Sequence, residues 1–184
     1  ENQVNKLAAF LHEQVSSGPK HVGILSKNSA YWIISDLAIS SSGCVSVPFY
    51  ATLTADQLNQ VLVHSDCQVL IVGKLDHWDS IKSGIPAHIH IIHTPESDGK
   101  NGYHWNEIIQ HEYTTFKPHT PKGEELSTIV YTSGTTGTPK GVMVEHRNVC
   151  NLLFSMREIL AFDASDRLLA ITTFAFDISV LELF

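Results

Sequence analysis

Short apolar runs alternate with segments of helical periodicity from His21 onward, and this alternation constrains the fold more than any other feature. A continuous run of aliphatic residues is typical of a buried strand, whereas apolar residues three and four positions apart indicate a helix. Strands and helices that alternate along a chain form βα units, whose strands lie parallel in one sheet. The sequence therefore predicts an α/β fold with a mostly parallel, doubly wound sheet and flanking helices.

The same periodicities predict the individual elements. Helices are predicted at residues 4–15, 30–42, 54–64, 78–83, 148–161 and 177–184, with Thr54 as the N-cap of the third. Strands are predicted at residues 22–26, 45–47, 69–72, 87–92, 126–131 and 168–172, and Pro48 is expected to end the second. Turn-forming residues dominate residues 95–102, which we therefore expect to form a surface loop.

Residues 131–141, with the sequence YTSGTTGTPKG, have the composition of a phosphate-binding loop. They contain three glycines, five serine or threonine hydroxyls and one cation, Lys140. Glycines let backbone N–H groups approach an anion, hydroxyls add donors, and lysine supplies a compact positive charge. The loop is expected to join the strand at 126–131 to the later helix at 148–161. A Gly/Ser/Thr linker is the alternative that this composition leaves open.

The spacing of this loop excludes three familiar motifs. The P-loop needs a glycine followed by Lys and then Ser or Thr, and no glycine here meets that requirement. The glycines at 134, 137 and 141 do not fit the dinucleotide fingerprint G-x-G-x-x-G. Tyr131 and Thr135 stand where a serine nucleophile elbow around Ser133 would need glycines.

The loop resembles the signature loop of the adenylate-forming (AMP-binding) superfamily, which includes acyl-CoA synthetases, nonribosomal peptide synthetase adenylation domains and luciferases. The resemblance implies that the loop holds the β- and γ-phosphates of ATP while a carboxylate attacks the α-phosphate, giving an acyl-adenylate and pyrophosphate. It implies ATP and Mg²⁺ as cofactors, with the magnesium ligands outside these 184 residues, and Lys140 as a catalytic residue. The implied phosphate contacts are Thr132, Ser133, Gly134, Thr135, Thr136, Gly137 and Lys140.

A second motif places Asp177 after a predicted strand and the aromatic Phe176. A carboxylate at the carboxyl end of a strand in an open α/β sheet lies where ligands bind, although aspartate is also a favoured helix N-cap. The segment resembles the Phe-Asp-x-Ser motif of peptide synthetase adenylation domains. By that resemblance Asp177 binds the α-amino group of the substrate and Phe176 lies beside the acyl pocket. Because an unpaired buried carboxylate is costly, an amino acid substrate is favoured.

Other segments resemble a different branch of the superfamily. Residues 23–32, 45–50 and 71–76 are similar to fatty acyl-CoA synthetases, whereas residues 141–148 and the Phe-Asp-x-Ser segment are in the peptide-synthetase style. A chimera, an intermediate subfamily and a composite sequence all remain open. A fatty acyl-CoA synthetase fragment and a non-catalytic phosphate-binding module are therefore the alternatives to amino acid activation.

Charge and hydropathy limit the partners of the chain. Twelve basic and nineteen acidic residues give a net charge of −7, which argues against general binding to nucleic acid. No apolar run reaches the ~20 residues of a membrane span, and no signal peptide begins the sequence, so a cytoplasmic location is expected. His88, His90 and His93 are a weak candidate metal cluster, and we predict no metal ligands. The predicted partners are ATP, a small carboxylic or amino acid, and as acceptor either coenzyme A or a carrier-protein phosphopantetheine.

The resemblance also predicts the organisation of the chain. Residues 1–184 are expected to be a partial N-terminal AMP-binding domain, an incomplete subdomain of an adenylate-forming enzyme. Residues 1–125 would form the first βα units, 126–147 the strand and phosphate loop, and 148–184 the start of a second βα half. The later family motifs that hold adenine, ribose and magnesium have no counterpart here, nor does the C-terminal catalytic lysine. We expect weak nucleotide binding at best and no adenylation by these residues alone.

Overall fold

The computed structural model describes residues 2–15, 18–113, 116–132, 138–161, 166–167, 169–175, 179 and 183. The helices are α1 (Asn2–Gln14), α2 (Ala30–Ser41), α3 (Ala55–His64), α4 (Trp78–Ile81), α5 (Trp105–Gln110) and α6 (His146–Leu160), and a 3₁₀ turn at Lys82–Gly84 follows α4. The strands are β1 (His21–Leu25), β2 (Val45–Phe49), β3 (Val69–Val72), β4 (His90–His93), β5 (Tyr103–His104), β6 (Leu126–Thr132) and β7 (Lys140–Glu145).

The seven strands form one sheet in the order β5-β4-β3-β1-β2-β6-β7. Every neighbouring pair is parallel except β6 and β7, which are antiparallel. The first strand, β1, lies in the middle of the sheet, and the later strands extend it toward both edges. This arrangement confirms the predicted α/β class and the mostly parallel sheet.

The central strands have buried apolar side chains on both faces of the sheet. In β3, Val69 and Ile71 face the cluster formed with α1, α2 and α5, while Leu70 and Val72 face the cluster formed with α3 and α4. Alternate residues of a strand project to opposite faces, so a strand buried on both sides is a continuous aliphatic run. That is why residues 69–72 could be predicted with their observed bounds.

The predicted start of α3 is also confirmed. The Thr54 hydroxyl accepts a hydrogen bond from the backbone N–H of Gln57 at 3.3 Å. The Gln57 side chain accepts one from the backbone N–H of Thr54 at 3.0 Å. This reciprocal capping box satisfies two donors at the helix N-terminus, where no intrahelical acceptor is available.

Several boundaries differ from the predictions for physical reasons. The strand β2 continues through Pro48 to Phe49, because a proline near the end of a strand sacrifices only one backbone donor. The strand predicted at 87–92 occupies His90–His93. The short elements β5 and α5 were not predicted, since two and six residues are too few to establish a period.

The largest correction concerns the residues after the phosphate loop. The loop joins β6 to another strand, β7, and α6 follows β7 directly, so the expected strand-to-helix connection is wrong. The strand predicted at 168–172 is absent from its described residues, where the exposed Leu169 and Ile171 face no sheet neighbour. Of the helix predicted at 177–184, only Ser179 and Leu183 are described, and both are helical.

Candidate phosphate-binding hairpin

The predicted phosphate loop is framed by the antiparallel hairpin of β6 and β7. Thr132, the last residue of β6, pairs with Lys140, the first residue of β7. Directly paired residues on neighbouring strands project their side chains to the same face of a sheet. Both side chains are exposed. The Thr132 hydroxyl and the Lys140 ammonium therefore flank the loop on one face of the sheet edge.

The remaining predicted site residues lie outside the described part of the chain. Five predicted phosphate contacts fall there: Ser133, Gly134, Thr135, Thr136 and Gly137. The two predicted substrate contacts, Phe176 and Asp177, fall there as well. The structure thus describes Thr132, Lys140 and the framework that leads into each motif, and the ligand contacts of all nine residues stay predictions.

Lys140 forms no ion pair with the carboxylates of the described residues. Lys6, Lys27 and Lys82 each form an ion pair with a carboxylate, whereas no described carboxylate pairs with Lys140. A solvated ammonium on a four-carbon stem is a compact charge with three rotatable donors, which suits phosphate oxygens. The charge of Lys140 is therefore available to an anion at the loop.

The base of the hairpin is closely packed around Gly141. Tyr131, immediately before Thr132, is buried and pairs with Gly141 across the hairpin. A Cβ atom at position 141 would lie 2.8 Å from Cγ2 of Ile129 and 3.3 Å from Cζ of Tyr131. The first distance is shorter than carbon atoms tolerate, so packing below the loop demands glycine at 141.

Asn28 fixes the segment that precedes the second motif. Its side-chain amide donates a hydrogen bond to the carbonyl of Thr172 at 2.7 Å and accepts one from the N–H of Phe174 at 2.9 Å. The Phe174 ring packs edge-on against Trp32 with 5.2 Å between ring centroids. The sequence gives no local sign of these contacts of Asn28, because the partners are 144 and 146 positions away. Asn28 thereby ties the approach to Phe176 and Asp177 to the start of α2.

An apolar cavity of about 230 Å³ lies between α2, β6, α6 and the segment around Phe174. Two titratable side chains, Asp36 and His146, line it. Burial raises the pKa of the Asp36 carboxyl, and the Ser46 hydroxyl partly opposes that shift. Burial lowers the pKa of the His146 imidazole, while Glu125 partly opposes it. Both shifts favour the neutral form, as expected in apolar surroundings. The cavity is lined mainly by Trp32, Leu37, Val130, Val149, Leu153 and Phe174.

The three histidines weighed as metal ligands have other surroundings. His93 is buried, with Nδ1 2.8 Å from the hydroxyl of Ser97 and Nε2 3.0 Å from the carbonyl oxygen of Asn101. His88, which precedes β4, and His90, its first residue, are both exposed. Within the described ranges, no three His, Cys, Asp or Glu side chains converge closely enough to hold a metal ion. His93 therefore holds the loop after β4.

None of the helices in the described part of the chain is long and apolar enough to cross a membrane.

The AMP-binding enzyme family model matches residues 1–184. Gramicidin S synthase 2 of Brevibacillus brevis is 32% identical over 98% of this chain, which spans only 4% of that protein. The single family match therefore includes both the segments similar to fatty acyl-CoA synthetases and those similar to peptide synthetases.

Two solved structures share the fold. The AMPPNP-bound form of the nonribosomal peptide synthetase FmoA3 matches with a TM-score of 0.75 and 22% identity over 100% of this chain and 18% of its own. The anthranilate CoA ligase AuaEII, in complex with anthranoyl-AMP, matches with a TM-score of 0.72 and 26% identity over 84% of this chain and 31% of its own. The chain belongs to the AMP-binding enzyme family of adenylate-forming ligases.

Proposed function

We propose that this chain holds the phosphates of ATP during the activation of a carboxylic acid, as part of a larger adenylate-forming ligase. The observation that carries the proposal is the exposed Lys140, which pairs with no carboxylate of the described residues and lies opposite Thr132 at the ends of residues 133–139. Together they bracket a loop rich in backbone and hydroxyl donors. Family membership supplies the reaction class.

In the proposed reaction, a substrate carboxylate oxygen forms a bond to the α-phosphorus of ATP. The bond from that phosphorus to the α,β-bridging oxygen breaks, and its electron pair leaves with pyrophosphate. Negative charge therefore grows on the β- and γ-phosphates as the reaction proceeds. The ammonium of Lys140 and loop donors from Thr132 to Gly137 would stabilise the leaving group more than the ground state, which is the requirement for catalysis.

Magnesium would add positive charge at the same phosphates. The ammonium of Lys140 has no lone pair for a metal ion and suits phosphate oxygens. We therefore propose that the magnesium ligands lie outside these 184 residues. The described hairpin would bind and orient the triphosphate.

We further propose an amino acid as the substrate, with Asp177 binding its ammonium group and Phe176 beside its side chain. The Asn28 contacts support this assignment because they fix residues 172–174 immediately before the motif. The similarity to gramicidin S synthase 2 also favours peptide-synthetase chemistry. Coenzyme A and a carrier-protein phosphopantetheine both remain candidates for the acceptor.

A fatty acid substrate and non-catalytic phosphate binding are the competing functions. A fatty acid has no amine, so Asp177→Ala would then leave substrate selectivity unchanged. A non-catalytic module would bind ATP through Lys140 without carboxylate-dependent chemistry. The similarity of residues 23–32, 45–50 and 71–76 to fatty acyl-CoA synthetases gives the first of these alternatives its support.

The test is carboxylate-dependent exchange of pyrophosphate into ATP, measured in a ligase chain that contains these residues and the rest of its adenylation domain. We expect Lys140→Ala to reduce exchange about 100-fold, since removing one preorganised charge-stabilising donor has effects of this order. The matched control is Lys100→Ala, at an exposed lysine in the surface loop 95–102. Equal exchange in wild type and Lys140→Ala would contradict the proposal.

A further inference from the structure

We propose that His64 and Tyr131 form a positioning pair that sets where the phosphate loop leaves the sheet, and thereby its affinity for nucleotide. The proposal rests on the function assigned to the hairpin above. Neither side chain is placed against the nucleotide. Both would act through Thr132 and Lys140, which border the loop.

The contact between the two side chains is direct. The Tyr131 hydroxyl lies 2.7 Å from Nδ1 of His64. The rings meet edge-to-face, with centroids 5.7 Å apart and an interplanar angle of 88°. His64 is the last residue of α3, and Tyr131 is followed by Thr132 and then the loop. The bond therefore connects a helix end to the residue two positions before the loop begins.

The protonation state of Tyr131 makes it the donor of this bond. Burial raises the pKa of the Tyr131 phenol to about 12, and the nearby Cys67 and Asp66 add to the shift. The phenol consequently stays protonated near neutral pH. With a neutral imidazole, the hydroxyl donates to Nδ1 of His64, whose ring proton is then on Nε2. The Ser65 hydroxyl also lies close enough to interact with the Tyr131 phenol, but loss of the His64 acceptor would remove the 2.7 Å bond from a buried hydroxyl, which costs free energy.

The end of α3 has other restraints, so the bond matters most for β6. The Ser65 carbonyl oxygen, just after the helix, lies 2.6 Å from Nδ1 of His21. The Ser65 hydroxyl donates to the Leu62 carbonyl oxygen at 3.2 Å. These contacts hold the helix end without Tyr131. Loss of the Tyr131 bond would therefore release β6 more than it releases α3.

The end of β6 next to the loop has little strand pairing to hold it in the sheet. In the described residues, β6 pairs with β2 at one register position, Ser46 with Thr128. Beyond Thr128, β6 pairs with β7, which is itself an edge strand. The Tyr131 side chain is thus a principal link from this end of the hairpin to the core. Because its ring also packs over Gly141, a shift of Tyr131 would displace both strands that carry the loop.

The experiment compares Tyr131→Phe, His64→Leu and His64→Asn in the same ligase chain used for pyrophosphate exchange. We expect Tyr131→Phe and His64→Leu to raise KM for ATP about tenfold, because small misplacement of binding groups has large effects. KM for the carboxylic substrate should change less than about twofold, since its contacts lie elsewhere. His64→Asn should restore much of the ATP affinity, because an amide oxygen can replace Nδ1 as acceptor.

A double variant and a matched histidine variant complete the design. His64→Leu with Tyr131→Phe should raise KM for ATP no further than either change alone, since both remove the same bond. The control is His90→Leu. The rings of His90 and Tyr103 also lie near each other, with 6.1 Å between their centroids, but this pair lies away from the loop. That control should leave KM for ATP unchanged.

Different outcomes separate this inference from the proposed function. If Lys140→Ala abolishes exchange while Tyr131→Phe and His64→Leu leave KM for ATP unchanged, the positioning role is wrong and the proposed function stands. If KM rises equally for both substrates, or if His64→Asn behaves as His64→Leu, the pair has only a general structural role. If Lys140→Ala also has no effect, the proposed function fails, and the positioning role fails with it.

Discussion

The sheet centre around β3 and the hairpin edge with α6 differ in how far the described residues bury their apolar side chains. All four residues of β3 are buried, with helices on both faces of the sheet. No residue of the 15-residue helix α6 is buried, although Phe154 and Ile159 are large and apolar. The exposed fraction is 65% for Phe154 and 74% for Ile159. The buried centre therefore contributes most of the stability, whereas the edge that carries the proposed phosphate loop leaves many of its side chains exposed.

This contrast explains why the proposed site depends on a few long-range contacts. A loop in the centre would be fixed by strands on both sides, but within the described part of the chain β7 has a strand on only one side. The edge is instead connected to the core by Tyr131, which contacts His64, and Asn28 similarly fixes the segment 172–174. Single side chains thus replace strand pairing where binding residues are presented.

Leu70→Ala should produce the largest stability effect and tests the centre. Leu70 is fully buried in β3, and removal of a buried leucine side chain costs about 2–5 kcal/mol through lost burial and a residual cavity. The matched change at the edge is Ile159→Ala, which should cost less than about 0.5 kcal/mol because that side chain is exposed. Urea unfolding of the 184-residue chain measures both values. Equal losses would show that α6 is as well packed as β3.

Neutral His93 should make a smaller, pH-dependent contribution to the stability of the folded protein. Burial lowers the pKa of His93 in the folded protein, with the Asn101 carbonyl partly opposing and His104 adding to the shift. As pH falls below the ordinary histidine pKa of about 6.5, the unfolded state binds a proton before the folded state does. The stability due to neutral His93 is therefore fully present above that pH and is lost as pH falls toward the folded pKa.

Urea unfolding of wild type and His93→Gln between pH 7.5 and 5.5, a range of roughly two units around the ordinary histidine pKa, measures this effect. The variant should be less stable at the higher pH but should lose less stability on acidification. His146, whose pKa burial also lowers, adds a change of the same sign that remains in both proteins. Parallel pH profiles for the two proteins would exclude His93 as a source of the acid sensitivity.

Local patterns predicted much of the fold but little of its long-range support. The aliphatic run of β3 and the capping residues of α3 carry their structure in adjacent positions, so both were predicted with little error. The strand β7 was missed because the apolar run in KGVMVE is only three residues long and lies close to the following helix, whereas the strand is completed by pairing with β6. Pairing of this kind depends on tertiary contacts more than on intrinsic propensity.

The candidate site shows the same division. The glycines, hydroxyls and lysine of residues 131–141 are adjacent in sequence, so the loop could be identified from its composition. The contact between His64 and Tyr131 spans 67 positions, and those of Asn28 span more than 140. Isolated polar residues within apolar segments give no signal of such partners. The candidate binding groups could therefore be proposed from the sequence, while the contacts of Asn28 and of His64 with Tyr131 could not.

The most direct test of the central claim is where AMPPNP binds on this 184-residue chain. Titration of the ¹⁵N-labelled protein, followed by amide chemical shifts, detects even weak binding and locates it. We predict that the largest shifts occur at Thr132, Thr138, Lys140 and Gly141, since Pro139 has no amide proton, and that Lys140→Ala abolishes them while Lys100→Ala does not. Absence of shifts at the hairpin, or shifts confined to the cavity around Asp36, would contradict the assignment of this loop as the phosphate site.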